Sequence, residues 1–525
     1  MKSLIIIEYE AGNQQESVRK CADYLKAFAG TGKHSILGIM KRTIRYALLS
    51  LLGWMLHGPG HAAAAEQAKP NIILVLTDDQ GYGDLACHGH PYVKTPNLDR
   101  LYAQSTRLTD YHVSPTCAPT RAALMTGRAP FKNGITHTIF ERERMTLKAT
   151  TTAQVLKSAG YTTGIFGKWH LGDEDAYQPG RRGFDEVFIH GAGGIGQAYP
   201  GSCADAPGNS YVDPVVRHNG TFVKARGYCT DVFFQQALGW IKENRTKPFF
   251  AYIATNAPHE PYICPENYQN IYQEKANYKP RAAFYGMITN IDDNVGLLMR
   301  KLDEWQLADN TLLVFMTDNG TAAGDFNAGM RGTKATLHEG GSRVPAFFRL
   351  PGRIPAGRDI DVLTRHIDIF PTFAELAGAK YDIQIDGRSL VPLLTGKPVD
   401  WPPRYTFFHL GRWGKEGVEG YRNIQTCNPD EAKHQLFAVR DEDWRLVNGD
   451  QLYQISLDPG EKKNVIKQHP EVAGQMMAAY DKWWDEVRPF MVNEDAPLAK
   501  EHPYHAAFNK QKASRGIPAW TAPEL

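Results

Sequence analysis

Short, almost purely apolar runs recur along this chain, and stretches with helical spacing separate them. The apolar runs occupy residues 72–76, 161–166, 249–255 and 312–316, and the helical stretches occupy 97–105, 151–159, 231–244 and 281–305. Continuous apolar runs that are rich in β-branched residues are typical of strands buried on both faces. Their alternation with helices predicts an α/β fold, with a large, mostly parallel or mixed sheet flanked by helices.

The pattern changes near residue 400, where Trp401-Pro402-Pro403 interrupts it. Short strand-like pieces and one helical stretch follow, at 405–410, 436–440, 444–447 and 470–487. We therefore predict a main domain over 66–403. A smaller C-terminal α+β subdomain with an antiparallel sheet and a helix follows over 404–490, and a polar tail over 491–525. The Gly-rich or polar stretches 191–208 and 411–430 are expected to be long loops.

The segment that begins at Met40 has the layout of a secretory signal peptide. Basic residues at 41, 42 and 45 precede a short apolar stretch at 47–56, and an Ala-rich stretch follows at 62–65. We predict a signal peptide over 40–65 and an upstream extension over 1–39 that is not part of the natural protein. Export to the periplasm or the medium would follow. The alternative is an internal buried helix.

Composition excludes several function classes. The chain has 59 Lys and Arg against 57 Asp and Glu, so it lacks the basic excess of a nucleic-acid-binding protein. No run reaches the roughly 18 apolar residues that a membrane-spanning helix needs. Its seven cysteines are too sparse for a disulfide scaffold. The chain has no CxxC pair, so a structural zinc site is not expected.

Two apolar runs end in similar polar residues. Asp78-Asp79 follows the first run, and Asp318-Asn319 follows the last one. Ligands of parallel sheets bind at the carboxyl ends of strands, and oxygen ligands favour a hard cation such as Ca²⁺ or Mg²⁺. Either motif alone could be an ordinary turn or helix cap. The duplication favours a metal site.

The segment from Ser114 to Arg128, SPTCAPTRAALMTGR, contains a candidate nucleophile. Pro119 suits the first turn of a helix, so Cys117 lies at or just before the helix start. The helix dipole would acidify a thiol there, and Arg121 follows one turn later. The alternative is a buried, inert cysteine.

Cys117-x-Pro119-x-Arg121 followed by AALxTG resembles the signature of the sulfatase family, within the alkaline phosphatase superfamily. Four further segments resemble motifs of that family in the same order: GIFGKWH at 164–170, PHEPY at 258–262, RGTKATLHEGGSRVP at 331–345 and LYQISLDPGEKKN at 452–464. The resemblance extends from about residue 69 to about residue 490. It implies an alkaline phosphatase-like fold and makes 66–403 the catalytic domain.

The resemblance also implies the chemistry. A maturation enzyme would oxidise Cys117 to formylglycine, whose hydrate attacks the sulfur of a small-molecule or saccharide sulfate ester. The implied metal ligands, for Ca²⁺ or Mg²⁺, are Asp78, Asp79, Cys117, Asp318 and Asn319. The implied catalytic residues are Arg121, which orients the hydrate, Lys168 and Lys334, which bind the sulfate, His259, the general acid, and His170, the base.

Two alternatives stay open. A phosphonate monoester or phosphodiester hydrolase of the same superfamily shares the metal site and can share formylglycine. A non-catalytic binder of sulfated glycans would result if Cys117 were never converted. The sequence departs from the family pattern in one respect. The family often places a serine or another hydrogen-bond donor after Gly183-Phe184-Asp185, and this segment has no clear serine match, although His190 or Gln197 could substitute.

Some residues carry no functional prediction. His338, His366 and His409 lack a supporting motif and are interpreted as structural. Five cysteines remain once Cys117 and the one in the leader are set aside, so one at least is unpaired; Cys203 with Cys229 is a candidate bridge.

Overall fold

The computed structural model describes residues 68–275, 279–412, 428–493 and 501–525. The predicted upstream extension over 1–39, the predicted signal peptide over 40–65 and most of the predicted loop at 411–430 lie outside these residues. Among the described residues, no helix combines the length and the apolar character needed to span a membrane.

The main domain is built on a ten-stranded mixed sheet with the strand order β11-β2-β10-β9-β1-β8-β4-β5-β6-β7. Its strands are β1 (Asn71–Thr77), β2 (Thr106–Leu108), β4 (Thr162–Lys168), β5 (Glu186–His190), β6 (Val215–His218), β7 (Thr221–Lys224), β8 (Phe249–Ala254), β9 (Thr311–Thr317), β10 (Ala346–Arg349) and β11 (Arg358–Ile360). A separate two-stranded pair joins β3 (Tyr111–His112) to β12 (Thr364–Arg365).

The centre of the sheet is parallel, and antiparallel pairs lie on both sides of it. Strands β9, β1, β8, β4 and β5 run parallel, with Ile72 opposite both Phe250 and Leu312. Strand β10 pairs antiparallel with β9, and β6 and β7 pair antiparallel beyond β5. The parallel core places the carboxyl ends of β1, β9, β8 and β4 at one edge.

Helices cover both faces of this sheet. They are α1 (Pro96–Ala103), α2 (Cys117–Thr126), α3 (Thr152–Ser158), α4 (Cys229–Asn244), α5 (Glu266–Asn270), α6 (Lys279–Glu304), α7 (Glu339–Ser342), α8 (Ile369–Leu376) and α9 (Val391–Thr395). Side chains of β1 alternate between the faces. Ile72 and Leu74 pack in the cluster with α2, α3 and α8, whereas Ile73 and Val75 pack with α1, α4 and α6. Burial on both faces explains why β1 has no polar residue in its interior.

The C-terminal subdomain holds a four-stranded antiparallel sheet with the order β13-β14-β15-β16. Its elements are β13 (Thr406–His409), α10 (Pro429–Ala432), β14 (Phe437–Arg440), β15 (Trp444–Val447), β16 (Gln451–Gln454) and α11 (Pro470–Val487). Met476, Tyr480 and Trp484 of α11 pack on Val439 and Leu446. The predicted α/β fold with its smaller α+β subdomain is confirmed.

The tail folds back onto the main sheet. Helix α12 (Pro503–Arg515) buries Tyr504 and Phe508 against Phe222 of β7. After it, the backbone of Lys224 exchanges hydrogen bonds of 2.8 Å with Pro518 and Trp520, so this segment lies along the outer edge of β7.

The suggested bridge between Cys203 and Cys229 is wrong, because both thiols are free. Each cysteine is held in a different setting by its backbone. The amide of Cys203 donates to the Glu143 carboxylate, whereas Cys229 begins α4 and its amide donates to the carbonyl of Tyr211 at 2.7 Å.

Candidate active site

The two acidic motifs lie side by side because their strands are neighbours in register, with Thr77 opposite Thr317. All four polar side chains that follow these strands are buried. The amide of Asp79 donates to Asp318 Oδ1 at 3.2 Å, and Asn319 Nδ2 donates to Asp79 Oδ1 at 2.9 Å. Asp79 has φ 63°, a left-handed conformation that turns the chain sharply after β1.

Cys117 is the first residue of α2, and its side chain is only 2 % exposed. Arg121 follows one turn later and is fully buried. Its guanidinium donates to Asp318 Oδ2 from Nε at 3.1 Å and from Nη2 at 2.8 Å, and Nη1 donates to the carbonyl of Lys168 at 3.2 Å. Arg121 thus joins the helix that carries Cys117 to the ends of β9 and β4.

The end of β4 supplies a lysine and a histidine. Lys168 is the last residue of the strand, and its ammonium group donates to Asp78 Oδ2. His170 has φ 57°, and its Nδ1 lies 3.5 Å from Cys117 Sγ. The sequence predicts that this strand ends at Phe166, but it extends to Lys168. The sheet, and not a loop, therefore positions Lys168.

His259 and Lys334 approach Asp79 from the other side. Lys334 Nζ lies 2.7 Å from Asp79 Oδ1 and 2.8 Å from Oδ2. His259 Nε2 lies 3.7 Å from Asp79 Oδ2, while its Nδ1 lies 2.7 Å from the carbonyl of Glu260. All the residues that the sequence assigned to the metal and catalytic sets therefore converge on one site.

Burial and neighbouring charge divide the three carboxyl groups into two kinds. Burial raises the pKa of Asp78 and of Asp318 to about 6, although Lys168 and Arg121 oppose that rise. Burial also acts on Asp79, but the charge of Lys334, together with a hydrogen bond from Asn319, outweighs it and lowers the pKa of Asp79. Asp79 is the most firmly ionised of the three.

Both histidines are neutral in this setting. Burial, reinforced by Lys334, lowers the pKa of His259 to about 3. Burial also lowers the pKa of His170, although a hydrogen bond to Glu143 opposes the change. A neutral imidazole can accept a proton, and this suits His170 for the role of a base.

The donor set fits a hard divalent cation. Ligand atoms of Asp78, Cys117 and Asp318 lie within 4.8 Å of one another, as do those of Asp78, Asp79 and His259. Asp78 Oδ1 and Asn319 Oδ1 are buried and have no hydrogen-bond partner. Buried oxygens with no donor are costly unless a cation coordinates them. Carboxylate and amide oxygens are the ligands of Ca²⁺ and Mg²⁺.

A cavity of about 400 Å³ opens onto these residues. Cys117, His170, His259, Lys334 and Asp79 form its floor, and its wall includes His137, Thr138, Gln197, Tyr199, Ser202, Tyr262 and Arg412. Of the two proposed serine substitutes, Gln197 lines the cavity. His190 is among the buried residues instead, stacked on Phe233 with its Nδ1 4.0 Å from Asp205.

Sequence reasoning missed several residues of this site. His137, Thr138 and Arg412 line the cavity without belonging to a motif. Glu143 contacts His170 from a segment of short 3-10 turns, and no periodicity marks it. Their only sequence signal is polarity, which surface residues share.

The three histidines interpreted as structural lie elsewhere and contact other groups. His338 Nδ1 lies 2.9 Å from Glu461. His366 Nε2 lies 3.1 Å from the Ser114 hydroxyl. His409 Nε2 lies 3.0 Å from the carbonyl of Ala432.

Comparison with known families gives two overlapping matches. A sequence model of the sulfatase family matches residues 70–379. A model of the C-terminal region of N-sulphoglucosamine sulphohydrolase matches residues 333–483. Together they cover the main domain and most of the C-terminal subdomain.

Curated relatives cover most of the chain. N-acetylgalactosamine-6-sulfatase of Canis lupus familiaris is 31 % identical over 457 residues, which is 78 % of this chain and 85 % of the relative. Arylsulfatase A of Homo sapiens is 31 % identical over 446 residues, which is 77 % of this chain and 85 % of the relative.

Solved structures share the architecture. The crystal structure of Ps i-CgsB in complex with k-i-k-neocarrahexaose has a TM-score of 0.69 and 30 % identity, and the match covers 85 % of this chain and 98 % of that one. Phosphonate monoester hydrolase of Agrobacterium radiobacter, with a TM-score of 0.58, 21 % identity and coverage of 80 % and 95 %, shares the fold.

Proposed function

The chain belongs to the sulfatase family and hydrolyses sulfate esters, and we propose that it does so with a formylglycine made from Cys117 and one divalent cation. The observation that carries the proposal is the position of Cys117. It begins a buried helix, its Sγ lies within 4.8 Å of carboxylate oxygens of Asp78 and Asp318, and it lies 3.5 Å from His170 Nδ1. A structural cysteine has no need of such partners.

The two groups that complete the site supply charge and a nucleophile: the cation acts as a Lewis acid, and hydrated formylglycine offers two hydroxyls. Asp78, Asp79, Asp318 and Asn319 would hold the cation, together with the side chain at position 117. We propose Ca²⁺, with Mg²⁺ as the alternative. Arg121 fixes position 117 relative to Asp318 through its forked hydrogen bonds.

Lys168 and Lys334 bind the sulfate group. In the substrate-free site each ammonium group is paired with a carboxylate, Asp78 or Asp79. A lysine ammonium is a compact charge on a flexible stem, so it can turn to an incoming anion without losing its position in the site. Both lysines then stabilise the charge that develops on the sulfuryl oxygens.

His259 and His170 move protons. His259 lines the cavity and donates a proton to the oxygen of the leaving alcohol. An entering sulfate ester brings negative charge, which raises the pKa of this buried imidazole from its low substrate-free value. His170 accepts a proton from the hydroxyl at position 117 and so assists the release of sulfate.

We propose a sulfated saccharide as the substrate class. The cavity is lined mostly by polar residues, and its lining includes Tyr199 and Tyr262, whose aromatic rings are of the kind that can stack on sugar rings. Two relatives point the same way, since one is named N-acetylgalactosamine-6-sulfatase and another was crystallised with k-i-k-neocarrahexaose. A simple aryl sulfate is the alternative.

We also propose that the protein is exported and that a formylglycine-generating enzyme acts on Cys117. Export is supported by the signal-like pattern over 40–65, which is followed by the main domain. Maturation is supported by the match of residues 114–128 to the family signature.

Two measurements test the proposal. Conversion of Cys117 replaces sulfur by oxygen, so the mass of the peptide that carries residue 117 must be lower than that of the cysteine form. Matched nitrophenyl sulfate, nitrophenyl phosphate and phosphonate monoester substrates, together with sulfated oligosaccharides, then rank the activities. An unconverted cysteine in active enzyme, or a preference for the phosphonate, would overturn the proposal.

A further inference from the structure

We propose that Glu143 is a positioning residue that sets which nitrogen of His170 faces the reacting group at position 117. The proposal rests on the function given above, because it concerns the histidine assigned as the base. Glu143 lies outside every motif of the sequence and outside the cavity wall.

Three contacts carry the proposal. Glu143 Oε2 lies 2.7 Å from His170 Nε2, and the carbonyl of Thr138 lies 3.2 Å from the same nitrogen. The other ring nitrogen, Nδ1, lies 3.5 Å from Cys117 Sγ. The side chains of Glu143 and His170 are both fully buried, so water does not compete for these hydrogen bonds.

These neighbours decide the tautomer. A carboxylate and a backbone carbonyl both accept hydrogen bonds and donate none. Two acceptors at Nε2 place the ring proton on that nitrogen, and Nδ1 is left with a lone pair that points to position 117. His170 is thereby prepared to accept a proton where the reaction releases one.

The ring is also held in place by the backbone around it. His170 has φ 57°, and its amide donates to the carbonyl of Gly191 at 3.1 Å. A Cβ at Gly193 would lie 2.9 Å from Cε1 and 3.0 Å from Nε2 of the ring. Glycine is required there because any side chain would displace the imidazole.

Glu143 contributes a second effect when the proton moves. The O–H bond at position 117 breaks, an N–H bond forms at His170 Nδ1, and the electron pair stays on the oxygen. The imidazole becomes a cation whose Nε2–H still donates to Glu143. A buried carboxylate at 2.7 Å stabilises that charge.

The variant Glu143→Gln tests this idea because a glutamine amide has an acceptor oxygen on one side and a donor NH₂ group on the other. The backbone amide of Cys203 donates to Glu143 Oε1, so the glutamine oxygen stays there and its NH₂ group faces His170 Nε2. Two donors then oppose each other unless the ring proton moves to Nδ1. We expect kcat to fall about a hundredfold or more, with KM changed by less than about twofold.

Two variants serve as controls. Glu143→Asp keeps an acceptor-only group and should recover part of the kcat that Glu143→Gln loses. Glu174→Gln changes a neighbouring carboxylate that accepts from Arg144 at 2.7 Å and makes no contact with His170; its kcat should stay within about twofold of wild type.

Proton NMR on the unconverted protein, with Cys117 still a thiol, gives a readout that does not depend on turnover. The Nε2 proton of His170, bonded to a buried carboxylate, should give a resonance downfield of the amides. His170→Asn should remove it and identify it, and Glu143→Gln should remove or shift it. Glu174→Gln should leave it unchanged.

A double variant distinguishes a failure of the positioning role of Glu143 from a failure of the base role of His170. In the His170→Asn background, Glu143→Gln should cause no further loss of kcat. Wild-type kcat in Glu143→Gln, multiplicative losses in the double variant, or an unchanged resonance would overturn the role of Glu143. Wild-type kcat in His170→Asn alone would instead overturn the base assignment under the proposed function.

Discussion

Two buried clusters of charge use nearly the same residue types for different purposes. The catalytic cluster comprises Asp78, Asp79, Asp318, Lys168, Lys334 and Arg121. The bridging cluster comprises Asp110, His112, Glu339, Arg440 and Arg445, and it joins β14 and β15 of the C-terminal subdomain to the main domain. In both clusters, acidic side chains approach closely enough to share a metal ion.

The difference lies in the cations that neutralise the acids. Glu339 Oε1 accepts from Arg440 Nε at 3.0 Å and from Arg445 Nε at 2.9 Å. Planar guanidinium groups fix a carboxylate in one geometry. The catalytic cluster has an arginine fork on Asp318 but pairs Asp78 and Asp79 with lysines, and it opens onto the cavity.

A group of acidic side chains with the spacing of metal ligands is therefore not by itself a metal site. Arginine forks and enclosure make the bridging cluster a structural ion-pair network. Lysines and access to the cavity fit the catalytic cluster to the proposed role of receiving a cation and an anion together. Substitutions can test this distinction from either side.

The largest effect is expected for Asp318→Asn. The substitution removes a carboxylate of the proposed metal site and the charge that the Arg121 fork contacts, so turnover should fall about 10³-fold or more. Added Ca²⁺ should raise the melting temperature of the wild type and not that of the variant, because only a site that binds the ion is stabilised by it. An equal Ca²⁺ shift in both proteins would contradict the assignment.

Glu339→Gln should have the next largest effect, on stability. The substitution leaves Arg445 buried without its carboxylate partner and leaves Arg440 with Asp110 alone, at 3.4 Å, which costs about 3–5 kcal/mol of unfolding free energy. Turnover per folded molecule and the Ca²⁺ shift should persist. Urea unfolding measures the loss, and Glu304→Gln, in an exposed pair with Lys301, is a control expected to change stability by about 0.5 kcal/mol or less.

Exchanging lysine and arginine between the two clusters tests the same difference. Lys334→Arg keeps the charge but fixes it to Asp79, so kcat should fall about ten- to a hundredfold while the melting temperature is retained. Arg445→Lys should do the reverse, with kcat unchanged and about 1–3 kcal/mol of stability lost. The idea fails if Lys334→Arg is fully active.

The smallest effect is an opposite dependence of stability on pH. The pKa of Glu339 lies well below its usual range because Arg445 and Arg440 outweigh burial, so its contribution is lost as pH falls below about 4.5. Burial raises the pKa of Asp78 from 3.8 to about 6, so in metal-free protein the unfolded state ionises first and stability falls as pH rises from about 4 to about 6.

Urea unfolding of chelator-treated protein measures both dependences. The unfolding free energy of the wild type relative to that of Asp78→Asn should increase from pH 7 to pH 4.5. The unfolding free energy of the wild type relative to that of Glu339→Gln should stay constant over that interval. A common sign for the two clusters would contradict their separation.

The centre of the fold was predictable because its signals are strong and local. Strands β1 and β9 extend one residue beyond each end of the predicted runs at 72–76 and 312–316. Helix α11 has the predicted bounds of 470–487. Buried parallel strands require apolar residues at every position, so their limits are visible in the sequence.

The sheet edges and the supports of the site were not predictable. Strands β2, β10 and β11 have three or four residues, too few to show a period. Glu143 meets His170 across 27 residues through irregular chain, so only the folded geometry relates them. Residues that bind a reacting group recur in motifs, whereas residues that orient them depend on local packing.

The tail has a consequence for association between molecules. The outer strand of a sheet offers unpaired backbone groups to any other strand. Here the segment around Pro518 and Trp520 pairs with Lys224 of β7, and Trp520 packs on the cluster beneath α4. A chain cut before residue 517 would keep every side chain of the catalytic cluster and expose this edge. Its aggregation, not its chemistry, would then set how much enzyme could be kept in solution.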